Sequence, residues 1–247
     1  MSSFIYYINV LFAAIPRALL NCLIWPFFRP RKALRFSQDL LNTLDYSEPD
    51  AVLESVEVDA LFGGQQIDVL IQGCFYKDYS GGTHSLKEVA TLAYLTRLSN
   101  PQKIFEIGTF RGRTTLLLAR NAPLGCKLFT LDLPQAKVSH RIGEAFAGTP
   151  EAVNIQQCEG DSRVFDYSAW QGACDFVWVD ACHDYDFVVR DTEAALRICK
   201  SGGWIAWHDY RHTARWSGVT RHIRELRSEY PQMHHIRGTS IAVLRKP

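Results

Sequence analysis

The amino-acid sequence predicts an α/β fold, doubly wound, with helices on both faces of a mostly parallel seven-stranded sheet. From Lys103 onward, short apolar runs alternate with segments of helical periodicity. The runs are continuously apolar, as strands buried on both faces of a parallel sheet require. Two further runs flank Gly238 and predict a C-terminal hairpin, so the last strand is expected to be antiparallel.

The elements are predicted in chain order from the spacing of apolar residues and from turn residues. The expected strands are residues 103–107, 127–132, 153–157, 176–180, 204–208, 234–237 and 240–245. Helices are expected after the first, second, fourth and fifth strands, at residues 113–121, near 141–146, at 185–199 and at 219–230. Upstream, the pattern predicts helices at 39–44, 51–61 and 86–98, a short strand at 67–71 and a turn at 80–83. We therefore divide the chain into an apolar and basic segment (1–36), a helical lead-in (37–100) and a sheet domain (101–247).

Composition excludes some classes of protein. With 47% hydrophobic residues, the chain has enough apolar side chains for a packed core, so extensive disorder is not expected. Its 27 Lys and Arg against 26 Asp and Glu leave a net charge of +1, which gives no support to nucleic-acid binding. The seven cysteines are odd in number and contain no C-x-x-C pair, which is typical of reduced, buried thiols in a cytoplasmic protein.

The N-terminal segment is unusually apolar. Residues 4–28 carry a single charge, Arg17, and are long enough as a helix to cross a bilayer, while residues 29–35 add four positive charges. Pro16 and Arg17 disfavour a simple span, because they would kink the helix and place a charge in the hydrocarbon. We expect residues 4–35 to bind the cytoplasmic face of a membrane; packing on the sheet domain or on a second subunit is the alternative. A cleaved signal peptide fits poorly, since no positive side chain precedes the apolar run.

A turn with spaced glycines follows the first strand of the sheet domain and opens a helix. Gly108 suits a tight turn, and Gly112 allows close approach of the backbone to a ligand. The free amides at the helix start, with Thr114, favour an anionic group such as a carboxylate. Glu106 suits a cationic amino group instead, and Phe110 breaks the dinucleotide pattern G-x-G-x-x-G.

Two further acids end neighbouring strands. Asp132 closes the second strand of the sheet domain, where an acid can accept both hydroxyls of a ribose. Asp161 follows the third strand in a Gly-Asp-Ser turn and can accept from the exocyclic amine of an adenine. A helix N-cap role for Asp161 is nearly as well supported.

A D-x-x-H sequence and an H-D pair end the next two strands. Asp180 and Asp209 are predicted at the ends of adjacent parallel strands, roughly 5 Å apart, so both carboxylates can share one hard divalent cation such as Mg²⁺. His183 lies in the loop above and can take a proton from a substrate hydroxyl. His208 is a candidate third metal ligand. Trp207, beside it, is a candidate for stacking on an acceptor ring, as are Tyr210 and Trp216.

Together these motifs resemble class I S-adenosylmethionine (SAM)-dependent methyltransferases, whose fold is a Rossmann-like sheet, over about residues 80–245. Within that class, the pattern is similar to the macrocin O-methyltransferase and cephalosporin-hydroxylase-like proteins. The resemblance implies that SAM is bound by Glu106, Gly108, Thr109, Gly112, Thr114, Asp132, Asp161, Ser162 and Asp180. It also implies that Asp180 and Asp209 hold Mg²⁺ and that His183 is the base. His208 departs from the pattern, since some metal-using relatives carry an acid there.

The resemblance predicts methyl transfer to a hydroxyl of a small molecule or glycan, assisted by a divalent metal. The alternatives are an NAD(P)-dependent oxidoreductase, disfavoured by the missing G-x-G-x-x-G, and a non-catalytic methyltransferase-like module, disfavoured by Asp180, His183 and Asp209. A homodimer is left open. The sequence does not identify the acceptor.

Overall fold

A computed structural model describes residues 50–74, 85–211 and 217–247 of the chain. Within them, eight strands form one sheet: β1 Glu54–Val56, β2 Lys103–Ile107, β3 Lys127–Asp132, β4 Ile155–Glu159, β5 Cys174–Val179, β6 Cys199–Trp207, β7 His234–Ile236 and β8 Ala242–Arg245. The α-helices are α1 Leu86–Ser99, α2 Arg113–Asn121, α3 Tyr185–Ile198 and α4 Ser217–Leu226. The predictions for residues 4–35, 39–44 and 80–83 and for Trp216 lie outside the described residues.

The sheet has the order β1-β7-β8-β6-β5-β2-β3-β4. Among the eight described strands, β8 alone runs against the others: it is antiparallel to β6 and β7, and the remaining pairs are parallel. The predicted parallel sheet with an antiparallel C-terminal hairpin is therefore confirmed. The expected number of seven strands is wrong, because β1 adds an eighth strand at the edge beside β7.

The extra strand lies in a segment predicted to be helical. Residues 51–61 instead form β1 and a 3₁₀ helix, Val58–Phe62. The backbone amide of Arg237 donates to the carbonyl of Val56 at 2.9 Å, extending the pairing of β1 with β7. Hydrogen bonding to a distant strand therefore overrides the local helical pattern, since propensity is only a weak prior.

Two other predicted elements are absent from the described residues. Residues 67–71 form no strand, because the side-chain amide of Asn121 bonds both the amide and the carbonyl of Leu70, each at 2.8 Å. Residues 141–146 form turns rather than a helix. Gly143 there adopts φ 68°, and the Phe146 ring occupies the space beside it, a conformation that a continuous helix does not allow.

The core lies on both faces of the sheet. One cluster joins Phe105 of β2 to Val188 of α3 and Ile223 of α4, and the other joins Ile104 to apolar residues of α1 and α2. Alternate residues of one strand thus serve opposite faces, as the doubly wound prediction requires. Six cysteines fall within the described residues and all are free thiols. Among the described helices, none combines the length and hydrophobicity needed to cross a bilayer.

Candidate active site

The turn between β2 and α2 is fixed by contact with the end of β5. Gly108 adopts φ 105°, and a Cβ there would lie 2.1 Å from the carbonyl oxygen of Asp180. The Gly108 amide donates to the carbonyl of Leu131 at 2.9 Å, and the Asp180 amide donates to that of Ile107 at 2.9 Å. The turn that the sequence assigns to SAM therefore touches the strand end that carries the first proposed metal ligand.

The second glycine of the motif makes a different close contact. A Cβ on Gly112, which has φ 78°, would lie 2.6 Å from the Phe146 ring. The absence of a side chain at Gly112 thus allows the segment that carries Phe146 to pack against the turn. Among the described residues, the N-cap Gly112 supplies no side-chain cap to α2, which begins at Arg113. The start of a helix is a favourable position for an anionic group such as a carboxylate.

Glu106 is fully buried at the centre of a hydroxyl cluster. Its Oε2 accepts hydrogen bonds from Thr115 Oγ1 at 2.5 Å and from Thr130 Oγ1 at 2.6 Å, and Thr130 Oγ1 also lies 2.6 Å from Thr109 Oγ1. Among the described residues, Oε1 of Glu106 has no hydrogen-bond partner. Burial raises the pKa of Glu106 to about 8. A buried carboxylate oxygen with spare capacity fits a cationic ammonium such as that of the methionine part of SAM.

Thr115 and Thr130 were missed by the sequence analysis, which chose Thr114. Thr115 is fully buried, whereas Thr114 is partly exposed. Thr130 lies directly opposite Glu106 in the β2–β3 register. Residues opposite each other on adjacent strands share a face of the sheet. The alignment of strands 103–107 and 127–132 could therefore have identified Thr130 as a neighbour of Glu106.

The proposed ribose acid, Asp132, bonds to two backbone amides. Its Oδ2 accepts from the amide of Phe110 at 2.6 Å, and its Oδ1 accepts from that of Leu133 at 2.7 Å. Phe110 has φ 48°, a rare conformation for a residue with a side chain. Asp132 therefore holds the glycine turn in place, and each of its oxygens keeps a second lone pair for a ligand.

The proposed adenine acid, Asp161, pairs with a neighbouring arginine. Both carboxylate oxygens accept from the Arg163 guanidinium, at 3.0 and 2.6 Å, and these bonds lower the pKa of Asp161. Ser162 accepts through its carbonyl from the Tyr167 hydroxyl at 3.2 Å. If Asp161 binds the amine of adenine, its carboxylate must either accept from Arg163 and the amine together or give up a hydrogen bond to Arg163.

The residues predicted after β5 and β6 converge at the carboxyl edge of the sheet. Asp180, His183 and Asp209 each offer one ligand atom, and these atoms all lie within 4.8 Å of one another. His183 Nε2 is 2.7 Å from Asp209 Oδ2 and 3.8 Å from Asp180 Oδ1. The two carboxylates are donors suited to a hard divalent cation such as Mg²⁺ or Mn²⁺. His183, predicted as a base, thus also has the position of a ligand.

His208 lies next to this cluster. Its Nδ1 is 3.4 Å from Asp180 Oδ1 and 3.3 Å from Asp209 Oδ2. Trp207, by contrast, is buried, and its indole nitrogen donates to Thr192 Oγ1 at 3.0 Å. Tyr210 is also buried and bonds to Asp50. The prediction that these two aromatic residues stack on an acceptor ring is therefore wrong, because both side chains belong to the core.

The charges of this cluster change the pKa values of its imidazole and carboxylate groups. Burial alone would lower the pKa of His183, but its bonds to Asp180 and Asp209 raise it to about 9. The same two carboxylates raise the pKa of His208 against an opposing effect of burial. Burial would raise the pKa of Asp209, but His208 and His183 hold it below its usual range. His183 therefore carries a proton at neutral pH unless another positive charge offsets the two carboxylates.

The chain is similar in sequence to known methyltransferases. Residues 105–210 match a family model described as a methyltransferase domain. Catechol O-methyltransferase B of Danio rerio is 29% identical over 120 residues, which cover 47% of this chain and 44% of that protein. The chain thus aligns with less than half the length of this curated relative.

Solved structures share the fold at low identity. The O-methyltransferase TomG of Streptomyces achromogenes, in complex with SAM, has a TM-score of 0.52 at 16% identity and covers 77% of this chain and 96% of its own. The O-methyltransferase of Bacillus cereus, in complex with SAH, has a TM-score of 0.50 at 21% identity and covers 66% and 82%. None of these names specifies the subgroup that the sequence resembles. Residues 105–210 are therefore similar to a methyltransferase domain, and the sheet has the fold of solved O-methyltransferases.

Proposed function

We propose that the chain is an O-methyltransferase that transfers the methyl group of SAM to a hydroxyl of a small molecule or glycan, with help from a divalent cation. The contact between Gly108 and the Asp180 carbonyl carries the proposal. The β2–α2 turn, where we propose that SAM binds, lies beside the carboxylate and histidine cluster, so donor and acceptor would meet at one edge of the sheet. In-line methyl transfer depends chiefly on such positioning.

The donor side would be held by residues of β2, β3 and α2. Glu106 would receive the ammonium of SAM on its buried Oε1, and the first amides of α2 would receive the carboxylate. Asp132 would use its remaining lone pairs on the ribose. Asp161 and Ser162 would face the adenine once Arg163 shares or releases its acid.

The acceptor side would be organised by the cluster at Asp180, His183 and Asp209. Asp180 and Asp209, with His208, would hold the cation, which when bound stabilises the oxygen of a hydroxyl that is losing its proton. His183 would receive that proton, as the imidazole within 2.7 Å of Asp209.

The binding step is tested first by calorimetry on the full chain. We expect saturable binding of SAM and no binding of NAD⁺, which would remove the oxidoreductase alternative. Binding of NAD⁺ instead of SAM would overturn the proposal. Glu193→Gln, an exposed change on α3, serves as the matched control and should bind SAM as the native chain does.

The transfer step is tested by formation of S-adenosylhomocysteine from SAM with a panel of hydroxyl acceptors, including catechol and hexoses. His183→Ala and Asp209→Ala should each lose transfer while they retain SAM binding. If both variants keep the native rate, the cluster is not the acceptor site. If the native chain binds SAM and transfers to no acceptor in the panel, the non-catalytic module is favoured.

We further propose that residues 4–35 bind a membrane surface through their basic cluster, with the domain in the cytoplasm. Flotation of the full chain with anionic vesicles at low and high salt tests this, because polybasic attraction is screened by salt. The charge-reversing double variant Arg31→Glu, Lys32→Glu should bind the vesicles more weakly and float less. Light scattering of the same samples distinguishes a homodimer from a monomer.

A further inference from the structure

A buried acid on α1 lies on the far side of His208 from the two candidate metal ligands. Glu88 is in the first turn of α1 and is 7% exposed. Its Oε1 is 3.7 Å from His208 Nε2, while His208 Nδ1 lies 3.3 Å from Asp209 and 3.4 Å from Asp180. The two ring nitrogens of His208 are thus divided between Glu88 on one side and the carboxylate pair on the other.

Glu88 is held in place from two directions. Its Oε2 accepts from the amide of Ser85 at 2.7 Å, within a capping box that begins α1. Its Oε1 accepts from both the amide of Ser240, at 2.9 Å, and the Ser240 hydroxyl, at 2.6 Å. A carboxylate fixed by three donors has little freedom to turn away from His208.

The topology explains how these distant segments meet. Because β8 is antiparallel to β6, its first residues lie at the edge where β6 ends, and the Tyr210 amide donates to the Ser240 carbonyl at 2.9 Å. The start of α1 packs against the same edge through Glu88. The Trp178 ring lies 5.8 Å from the His208 ring and restricts it further.

We infer that Glu88 is a positioning residue for the metal site: it orients His208 so that Nδ1 faces the cation held by Asp180 and Asp209. A carboxylate that faces one ring nitrogen favours hydrogen on that nitrogen by its charge, which leaves the lone pair of the other nitrogen for a metal. The inference rests on the proposed function for the cation, and it gives His208 the third ligand position that the sequence suggested. The acid lies outside the matched family segment, on a helix that precedes it.

The test measures Mn²⁺ binding to the full chain by electron paramagnetic resonance, with the native chain, Glu88→Gln, His208→Asn and the double variant. Changes in residues behind a metal ligand commonly cost about 10- to 100-fold in affinity. We expect Glu88→Gln to weaken Mn²⁺ binding by about tenfold or more in the native background and to have no further effect beside His208→Asn. The coupling of histidine nitrogen to bound Mn²⁺ should weaken in both single variants.

Ser85→Ala distinguishes the role of Glu88 in capping α1 from its role in positioning His208. This change removes the acceptor of the hydrogen bond from the Glu88 amide but leaves the Glu88 side chain in place. This control should lower thermal stability and leave Mn²⁺ affinity unchanged. Equal weakening by Glu88→Gln with and without His208, or an unchanged affinity in folded Glu88→Gln, overturns the inference. A native chain that binds SAM but not Mn²⁺ also overturns it, and leaves the methyltransferase proposal without its cation.

Discussion

Gly108 and Asp180 are in direct backbone contact, with the carbonyl oxygen of Asp180 in the space that a side chain on Gly108 would fill. The contact joins the first turn of the matched domain to the end of β5. It also explains why glycine is needed here: the backbone has φ 105°, and a Cβ would lie only 2.1 Å from the Asp180 carbonyl oxygen. The close approach of this turn to Asp180 therefore depends on the absence of a side chain at Gly108.

Gly108→Ala should weaken SAM binding through this contact. Overpacking of this kind typically costs about 1–3 kcal/mol, which corresponds to roughly 5- to 150-fold in affinity if it falls on the binding-competent turn. Calorimetry with SAM measures the effect. Gly125→Ala is the matched control, because Gly125 also has a positive φ, 85°, but a Cβ there would meet no atom within 4 Å. Similar SAM affinities for the two variants would show that the contact does not shape the donor site.

The affinity for SAM should depend on pH through Glu106. Its pKa of about 8 means that the acid is largely protonated at neutral pH in the free chain. An ammonium at Oε1 favours the ionised form, so affinity should rise as pH increases toward 8 and level off above it, by at most about tenfold per unit. In Glu106→Gln, the affinity for SAM should lack this contribution to its pH dependence. Identical pH profiles for the two proteins would contradict a direct role for Glu106.

The parallel sheet could be predicted because its central strands are continuously apolar. Residues 103–107 and 127–132 have the predicted bounds, and the acids at strand ends fall at the carboxyl edge as expected. The edge strand β1 could not be predicted, since three residues give no reliable period. Its pairing depends on β7, which lies far away in sequence.

The partners of the predicted site residues also escaped the sequence analysis. Thr130 supports Glu106 only because the β2–β3 register places them opposite each other. Glu88 approaches His208 only because β8 reverses direction at the edge of β6. The chemistry of a site residue can be suggested by its type and its place at a strand end, but its hydrogen-bond partners depend on register and topology.

Divalent cations should stabilise the chain through Asp180 and Asp209. A ligand that binds only the folded state adds RT ln(1 + [L]/Kd), about 2.7 kcal/mol at 100 times Kd. Mn²⁺ should therefore raise the thermal unfolding midpoint of the native chain, and Asp209→Asn should abolish most of that rise. Asp166→Asn, a change at an exposed acid that accepts from the Ser168 amide, should keep it. A rise of equal size in all three proteins would assign the cation to another site.

Asp191 should make the folded chain less stable as pH rises. This acid on α3 is fully buried, and the nearby Ser162 side chain offsets only part of the effect of burial on its pKa. Burial raises its pKa from 3.8 to about 6, so the folded chain binds a proton more tightly than the unfolded chain does. Stability from this group is therefore present below pH 4 and is lost as pH rises through 6.

Replacing this acid should reverse the loss. The difference of about two pKa units corresponds to at most about 3 kcal/mol, so Asp191→Asn should be more stable than the native chain at pH 8 by up to that amount, and the gain should shrink toward pH 4. Denaturant unfolding at both pH values measures the difference. Glu193→Gln, on the same helix but in an exposed pair with Arg190, should change stability little at either pH, because surface pairs contribute at most about 1 kcal/mol. A gain for Asp191→Asn that is equal at pH 4 and pH 8 would mean that ionisation of Asp191 is not its cause.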